Sequence, residues 1–299
     1  MAVARGYSDH LDLWLKIALM PVPTSSKALS ASVTLPFADS ASIRHRIALL
    51  SRDANSAHLG SSLSCVEILN AIVAVSNIRP DTRTSIDRDR LIMSKGHAAM
   101  GYYAVMAAYG LIAPEHLANY LGNGTALWGH VTRSAQVPVI DASTGSLGHG
   151  LGLTVGYGLA YRLRGWNGRC FCVLSDGELD EGSTWEAAMF AGARQLGSVT
   201  AVIDYNKIQS LERVVEVMDL EPLADKWRSF RWHVAEVDGH DLSALEAALS
   251  SDSGGRPRLI IAHTIKGKGV ERLENTVESH YRSATDADVD VLGRAAHHA

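Results

Sequence analysis

Cysteine is nearly absent from this chain, with only Cys65, Cys170 and Cys172 among 299 residues. An odd count, with the last two alternating inside an apolar run, argues against a disulfide framework or a zinc site and for reduced core thiols. A cytoplasmic location is the expectation that follows. Long hydrophobic runs are missing as well: residues 10–22 are interrupted by Asp12 and Lys16 and fall short of the ~20 residues a membrane span requires. No membrane association is expected. Charge of one sign is also lacking, since 20% of residues are charged and the formal net charge is only −4. Without a basic stripe, nucleic acid is not an expected partner. No Gly-x-Gly-x-x-Gly occurs among the glycines of 145–158 and no clear strand leads into them, so they read as tight helix packing. Lys266-Gly-Lys-Gly269 lacks P-loop spacing and reads as a basic glycine turn near an active-site rim.

What is present is a chain that is 46% hydrophobic, enough for one large or two small domains with a well-buried core. Pro21, Pro23 and Pro36 punctuate a Ser/Thr/Ala-rich start, so residues 1–38 read as an extension compatible with disorder. The folded domain is placed at 39–285 and a C-terminal tail at 286–299. Asp39 or Ser40 offers an N-cap for a helix carrying Ile43, Ile47 and Leu50. Helical patterns recur at 63–76, 98–109 and 114–121, and a Gly-rich helix is expected over 145–163. Cys170 to Leu174 is then a short apolar run, Ser183 to Leu196 an amphipathic helix and Val199 to Ile203 a second apolar run. A strand, crossover helix and strand force the two strands to be parallel, with their C-terminal ends on one edge of the sheet. Apolar runs at 233–237 and 258–263, with a helical segment at 242–250, continue the alternation. The pattern predicts a doubly wound α/β fold whose mainly parallel sheet is flanked by helices.

Ser175-Asp176-Gly177-Glu178 ends the first strand and Asp204-Tyr205-Asn206-Lys207-Ile208 ends the second, on the edge where open α/β sheets bind ligands. The Asp176 carboxylate, the Asn206 side-chain carbonyl and the main-chain carbonyl of Ile208 are hard oxygen donors of the kind Mg²⁺ or Ca²⁺ takes when shared with a phosphate. Gly177 leaves room for a phosphate against the backbone, and the helix after Gly182 presents free amides. Read alone, the same dipeptides also suit ordinary turns after strands.

The stretch from Asp176 to Asn206 resembles the thiamin diphosphate signature, Gly-Asp-Gly followed one strand–helix–strand unit later by Asn-Asn, with Ser175 and Tyr205 as departures that remove no ligand. Further segments resemble the N-terminal half of transketolases, in that family's order. They are Ala57-His58-Leu59-Gly60, Ser94-Lys95-Gly96-His97, Trp128-Gly129-His130 with Thr144-Gly145-Ser146-Leu147-Gly148, and Ser279-His280. The resemblance covers roughly residues 40–283 and implies a thiamin diphosphate-binding fold.

By this resemblance Asp176, Asn206 and the Ile208 carbonyl hold Mg²⁺, with Ca²⁺ as a substitute. Gly145, Ser146, Leu147, Gly177, Glu178, Asn206, His97 and His280 bind thiamin diphosphate, and His58, His130 and His280 act on the substrate. Ketol transfer moves a two-carbon fragment from a ketose to an aldose, so oxygens must gain and lose protons near neutral pH, a task suited to histidine. His45, His116, His233, His240, His263, His297 and His298 read as structural or exposed, and His149 as packing. Glu181 and Glu186 resemble acids at the family's subunit interface; the alternative is ordinary acids at a helix N-terminus. In full transketolases a second domain supplies the glutamate that activates the cofactor, whereas this sequence stops at Ala299. The resemblance therefore implies a C-terminal partner subunit with the pyrimidine-binding domain, an α2β2 assembly and a sugar-phosphate substrate. Other readings are the α subunit of a 2-oxoacid dehydrogenase, a relative of deoxyxylulose-phosphate synthase, or a non-catalytic supporting subunit.

Overall fold

The computed structural model describes residues 34–298. The expectation for the N-terminal extension falls almost wholly outside these residues. From Leu35, whose N–H donates to Ala74 O at 3.1 Å, the chain is tied to the domain. The first helices are α1 (Ser40–Asp53), α2 (Leu59–Ser64) and α3 (Val66–Val75). Asp39 caps α1, its carboxylate accepting the N–H groups of Ala41 and Ser42 at 3.2 and 2.8 Å. Strand β1 (Arg90–Met93) follows, then α4 (Ala99–Ala108), α5 (Pro114–Ala118) and α6 (Gly150–Arg164). Next come β2 (Cys170–Ser175), α7 (Gly182–Ala193), β3 (Val199–Tyr205), α8 (Val214–Val217) and α9 (Leu223–Ser229). The chain closes with β4 (His233–Asp238), α10 (Leu242–Ser250), β5 (Arg258–His263) and α11 (Asp286–His298).

The five strands are all parallel, in the order β1-β2-β3-β5-β4. Side chains alternate between the two faces of a strand, and here both faces are covered. Phe171 and Val173 of β2, Val202 of β3 and Ile260 of β5 join one core with Ile47, Ile72, Tyr103 and Leu245 from α1, α3, α4 and α10. Cys172, Leu174, Ala201, Ile203 and Ile261 join another with Leu151, Ala188 and Trp227 from α6, α7 and α9. Burial on both faces explains why these strands read as continuous apolar runs. The α/β class with a parallel sheet between helix layers is the one expected.

Four differences from the sequence-based expectation have physical causes. Strand β1 was not anticipated, because it is four residues long and opens with an arginine. The Gly-rich helix begins at Gly150, not 145, since Gly145 and Gly148 adopt φ of 146° and 81°, outside the helical region. His149 is exposed instead of packed. The segment 286–298 is helix, with Val289 and Leu292 buried and Asp288 accepting two bonds from Arg272. Among the described residues no helix is long and apolar enough to cross a membrane.

Candidate active site

The C-terminal ends of β2 and β3 and the turn after β5 converge on a cavity of about 230 Å³. Its wall includes Asp176, Gly177, Asn206 and Ile208 from the strand ends, Lys95 and Lys266, and His58, His97, His130 and His280. Asp176, 2% exposed, accepts the N–H of Gly177 at 2.9 Å and that of Lys207 at 2.6 Å, so the second strand exit fixes a carboxylate from the first. Asn206, in the cavity wall, directs its amide NH₂ at Asp204 Oδ2 (3.4 Å), while its Oδ1 accepts Ile208 N–H at 3.2 Å and keeps a second lone pair. The Ile208 carbonyl accepts Lys266 Nζ at 2.8 Å through one of its two lone pairs.

One of these wall residues, Lys95, belongs to a fully buried ion pair whose other member, Asp204, lies behind the wall. Lys95 Nζ bonds Asp204 Oδ2, and Asp204 also accepts Ser64 Oγ at 2.6 Å and the Thr264 hydroxyl. Burial by itself would raise the Asp204 carboxyl, but Lys95 and these hydrogen bonds hold it below the usual range. Asp176 moves the other way: burial and the neighbouring Asp204 charge push it up. An unpaired buried carboxylate whose proton affinity is raised is one that a cation binds favourably. The lysine of the Lys266-Gly-Lys-Gly269 turn, expected at the rim, is instead 2% exposed, with Nζ on the Ile208 and Gln209 carbonyls at 2.8 and 3.2 Å. Burial pulls its ammonium down from the ordinary lysine value.

The four motif histidines are brought together. Ring centroids lie 4.7 Å apart for His58 and His280, 5.4 Å for His58 and His97, 5.8 Å for His58 and His130, and 5.5 Å for His97 and His280. His58 sits just before α2 in the left-handed region (φ 66°), and its N–H donates to His280 O at 2.9 Å. Gly60 permits this approach, because a Cβ there would lie 2.3 Å from Ser279 Oγ. Burial first, then neighbouring positive charge, depresses His58, places His97 well below the ordinary histidine value and takes His280 down to about 3. These three imidazoles are therefore neutral at neutral pH and able to exchange protons with oxygens of a bound molecule. His58 Nδ1 is buried with no hydrogen-bond partner among the described residues.

The remaining anticipated residues divide. Gly145 and Leu147 line the cavity, whereas Ser146 is exposed and lines an open groove of about 1010 Å³ beside α6 and α7, together with Glu186. Glu181 is exposed at the start of α7. Glu178 does not reach the cavity wall: fully buried, it accepts Ser94 Oγ, the N–H of Ser175 at 3.0 Å and the N–H of Gly148 at 3.1 Å. Its part is to pin the loop before α6 to the end of β2. Sequence reasoning assigned no role to Lys95, Asp204, Ser61, Gln209 or Ser210, of which all but Asp204 line the cavity. A charged residue at the end of the apolar run of β3 was the available signal for Asp204.

A Cβ on Gly177 would meet only the Gln209 side chain, at 3.5 Å, so the protein itself leaves that position open. An open backbone approach, hard oxygen donors at the strand ends and two buried lysines fit a metal-bridged diphosphate. The family model "Transketolase, thiamine diphosphate binding domain" matches residues 41–296. The chain belongs to this transketolase family. Relatives of similar size include the 6-deoxy-6-sulfo-D-fructose transketolase subunit of Clostridium sp., 40% identical over 77% of this chain and 84% of that protein. An apulose-4-phosphate transketolase subunit of Phocaeicola vulgatus is 36% identical over 80% of this chain and 85% of that one. The transketolase of Campylobacter jejuni superposes with a TM-score of 0.78 at 26% identity, over 86% of this chain but 42% of its own. The chain thus spans about two-fifths of a full transketolase and most of the transketolase subunits it resembles. Thiamin diphosphate is the cofactor of the transketolase domain.

Proposed function

We propose that this protein is the diphosphate-binding subunit of a two-component transketolase, moving a two-carbon ketol unit from a ketose phosphate, or a related ketose, to an aldose or other acceptor. The observation that carries the reading is the convergence of Asp176, Asn206 and four histidines from separate motifs on one cavity at the strand ends. Mg²⁺, or Ca²⁺ in its place, would be held by Asp176, Asn206 and the Ile208 carbonyl. Lys95 and Lys266 would balance diphosphate charge against Gly177. When bound, thiamin diphosphate supplies the carbanion that ketol transfer requires.

The chain's own residues bind, orient and exchange protons. His58 and His280, neutral and facing each other, take protons from substrate hydroxyls and return them to carbonyl oxygens; His130 holds the donor's terminal hydroxyl. His97 and Leu147 line the cofactor's path. The open groove beside Ser146 and Glu186, with Leu153, Met189 and Phe190 exposed nearby, supports docking of a pyrimidine-binding partner at Glu181 and Glu186. Relatives named as transketolase subunits support a partner chain of this kind, and two of each would make the proposed α2β2 assembly. Three buried, unpaired cysteines support a reducing, cytoplasmic location.

The test is titration of thiamin diphosphate and Mg²⁺ into the chain alone and into its mixture with a pyrimidine-domain partner. Transfer is assayed from xylulose 5-phosphate, apulose 4-phosphate and 6-deoxy-6-sulfo-D-fructose to ribose 5-phosphate. Activity confined to the mixture and lost in Asp176→Ala supports the proposal. Robust transfer by the chain alone refutes the two-component reading, and no cofactor binding even in the mixture leaves a non-catalytic subunit.

A further inference from the structure

The segment leaving β5 carries Lys266 into the cavity, and each residue of it is tied down. Thr264 bonds Asp204 through its hydroxyl and donates its N–H to Tyr205 O at 3.3 Å, while Gly267 N–H reaches Gly60 O at 3.1 Å. The tie at Ile265 comes from outside the site. Its N–H donates to His240 Nε2 at 2.9 Å. A backbone N–H can only donate, so Nε2 is the unprotonated nitrogen and the proton resides on Nδ1.

Nδ1 in turn lies 3.0 Å from Glu67 Oε2, an acceptor that fixes this tautomer. Glu67 is gripped by Arg44 through a two-pronged contact at 2.7 and 2.6 Å, and Arg44 also reaches Leu63 O at 3.4 Å. Burial alone would raise the Glu67 carboxyl, but His240 and Arg44 hold it at about 2, so it is always an acceptor at working pH. The main chain that carries the ring is held as well, the His240 backbone N–H donating to Asp238 Oδ1 at 2.8 Å.

We propose that His240, locked in its Nδ1–H tautomer by Glu67 and Arg44, is a positioning residue that sets where Lys266 enters the diphosphate cavity by accepting the Ile265 N–H. It touches no substrate or cofactor and acts through the backbone next to the lysine. A donor on both ring nitrogens, or an apolar side chain, leaves the Ile265 N–H without an acceptor and frees the segment to move. The significance for function rests on the transketolase reading; the placement of Lys266 does not.

The test is therefore run on the full chain without cofactor, by measuring amine acetylation of individual lysines with acetic anhydride and peptide mass spectrometry. In His240→Leu the Lys266 rate should rise about tenfold, the weight of one buried hydrogen bond, while buried Lys95 keeps its wild-type rate. His240→Gln places an amide oxygen where Nε2 stood and should return Lys266 to within about twofold of wild type. An unchanged Lys266 rate in His240→Leu, no rescue by glutamine, or an equal rise at Lys95 overturns the proposal, the last because the effect would then be general loosening. Should His240→Leu fail to fold, His240→Asn keeps a polar amide in the place of Nδ1, next to Glu67, but ends short of Ile265, so the Ile265 N–H loses its acceptor. Lys266 must then become more reactive, and a wild-type rate rejects the positioning role.

Discussion

Lys95→Met tests the buried charge pair on which the cavity is built. Methionine matches the length of the lysine stem, so the main loss is the ammonium facing Asp204 at zero side-chain exposure for both partners. Removing one partner of such a pair costs about 3–5 kcal/mol. Ser64, Thr264 and Asn206 still donate to Asp204, which places the expected loss near the lower figure, about 3 kcal/mol. For a domain of this size that is a fall in Tm of roughly 6–12 °C.

The sign with pH is specific. In the wild type Asp204 is held below its unfolded value, so its contribution is present above the unfolded value and is lost as pH falls through the folded one. Without Lys95, burial is left to dominate and the carboxyl rises. The variant then regains stability as pH falls and Asp204 takes a proton, by up to about 1.4 kcal/mol per pH unit. Urea denaturation of wild type, Lys95→Met and Lys95→Met/Asp204→Asn at about pH 8 and about pH 5.5 decides the matter. A loss below about 1 kcal/mol, a loss that does not shrink at the lower pH, or a double variant no better than the single one would refute the reasoning.

Asp176→Asn should leave the fold intact but weaken Mg²⁺-dependent thiamin diphosphate binding at least about tenfold, the loss already typical of residues one shell further out; calorimetric titration of the chain with its partner checks this. Gly60→Ala drives a Cβ to 2.3 Å from Ser279 Oγ and should cost about 1–3 kcal/mol in thermal unfolding. It should also lower kcat/KM by parting His280 from His58. His280 sits at about 3 in the folded chain, below its unfolded value, so the stability it contributes near neutral pH is lost as pH falls from the ordinary histidine range toward that value. His280→Asn should therefore show a smaller loss of stability on acidification, followed by denaturant midpoints across the same range.

The central strands were legible in the sequence because both faces of the sheet are covered, which writes β2, β3 and β5 as unbroken apolar runs. The motif residues at their ends were legible for a related reason, since parallel strands must deliver Asp176 and Asn206 to one edge. Local signals also marked the Asp39 cap. What stayed hidden depends on partners distant in the chain. Lys266 looks like a turn lysine until the carbonyl of Ile208, 58 positions earlier, receives its ammonium. His240 looks ordinary until Glu67, 173 positions away, fixes its tautomer, and Glu178 looks like a cavity acid until Ser94 and Gly148 close over it. Periodicity and turn chemistry act between neighbours and so are written in the sequence. The protonation, burial and pairing of a side chain depend on what the sheet topology sets opposite it, and only the tertiary structure decided that.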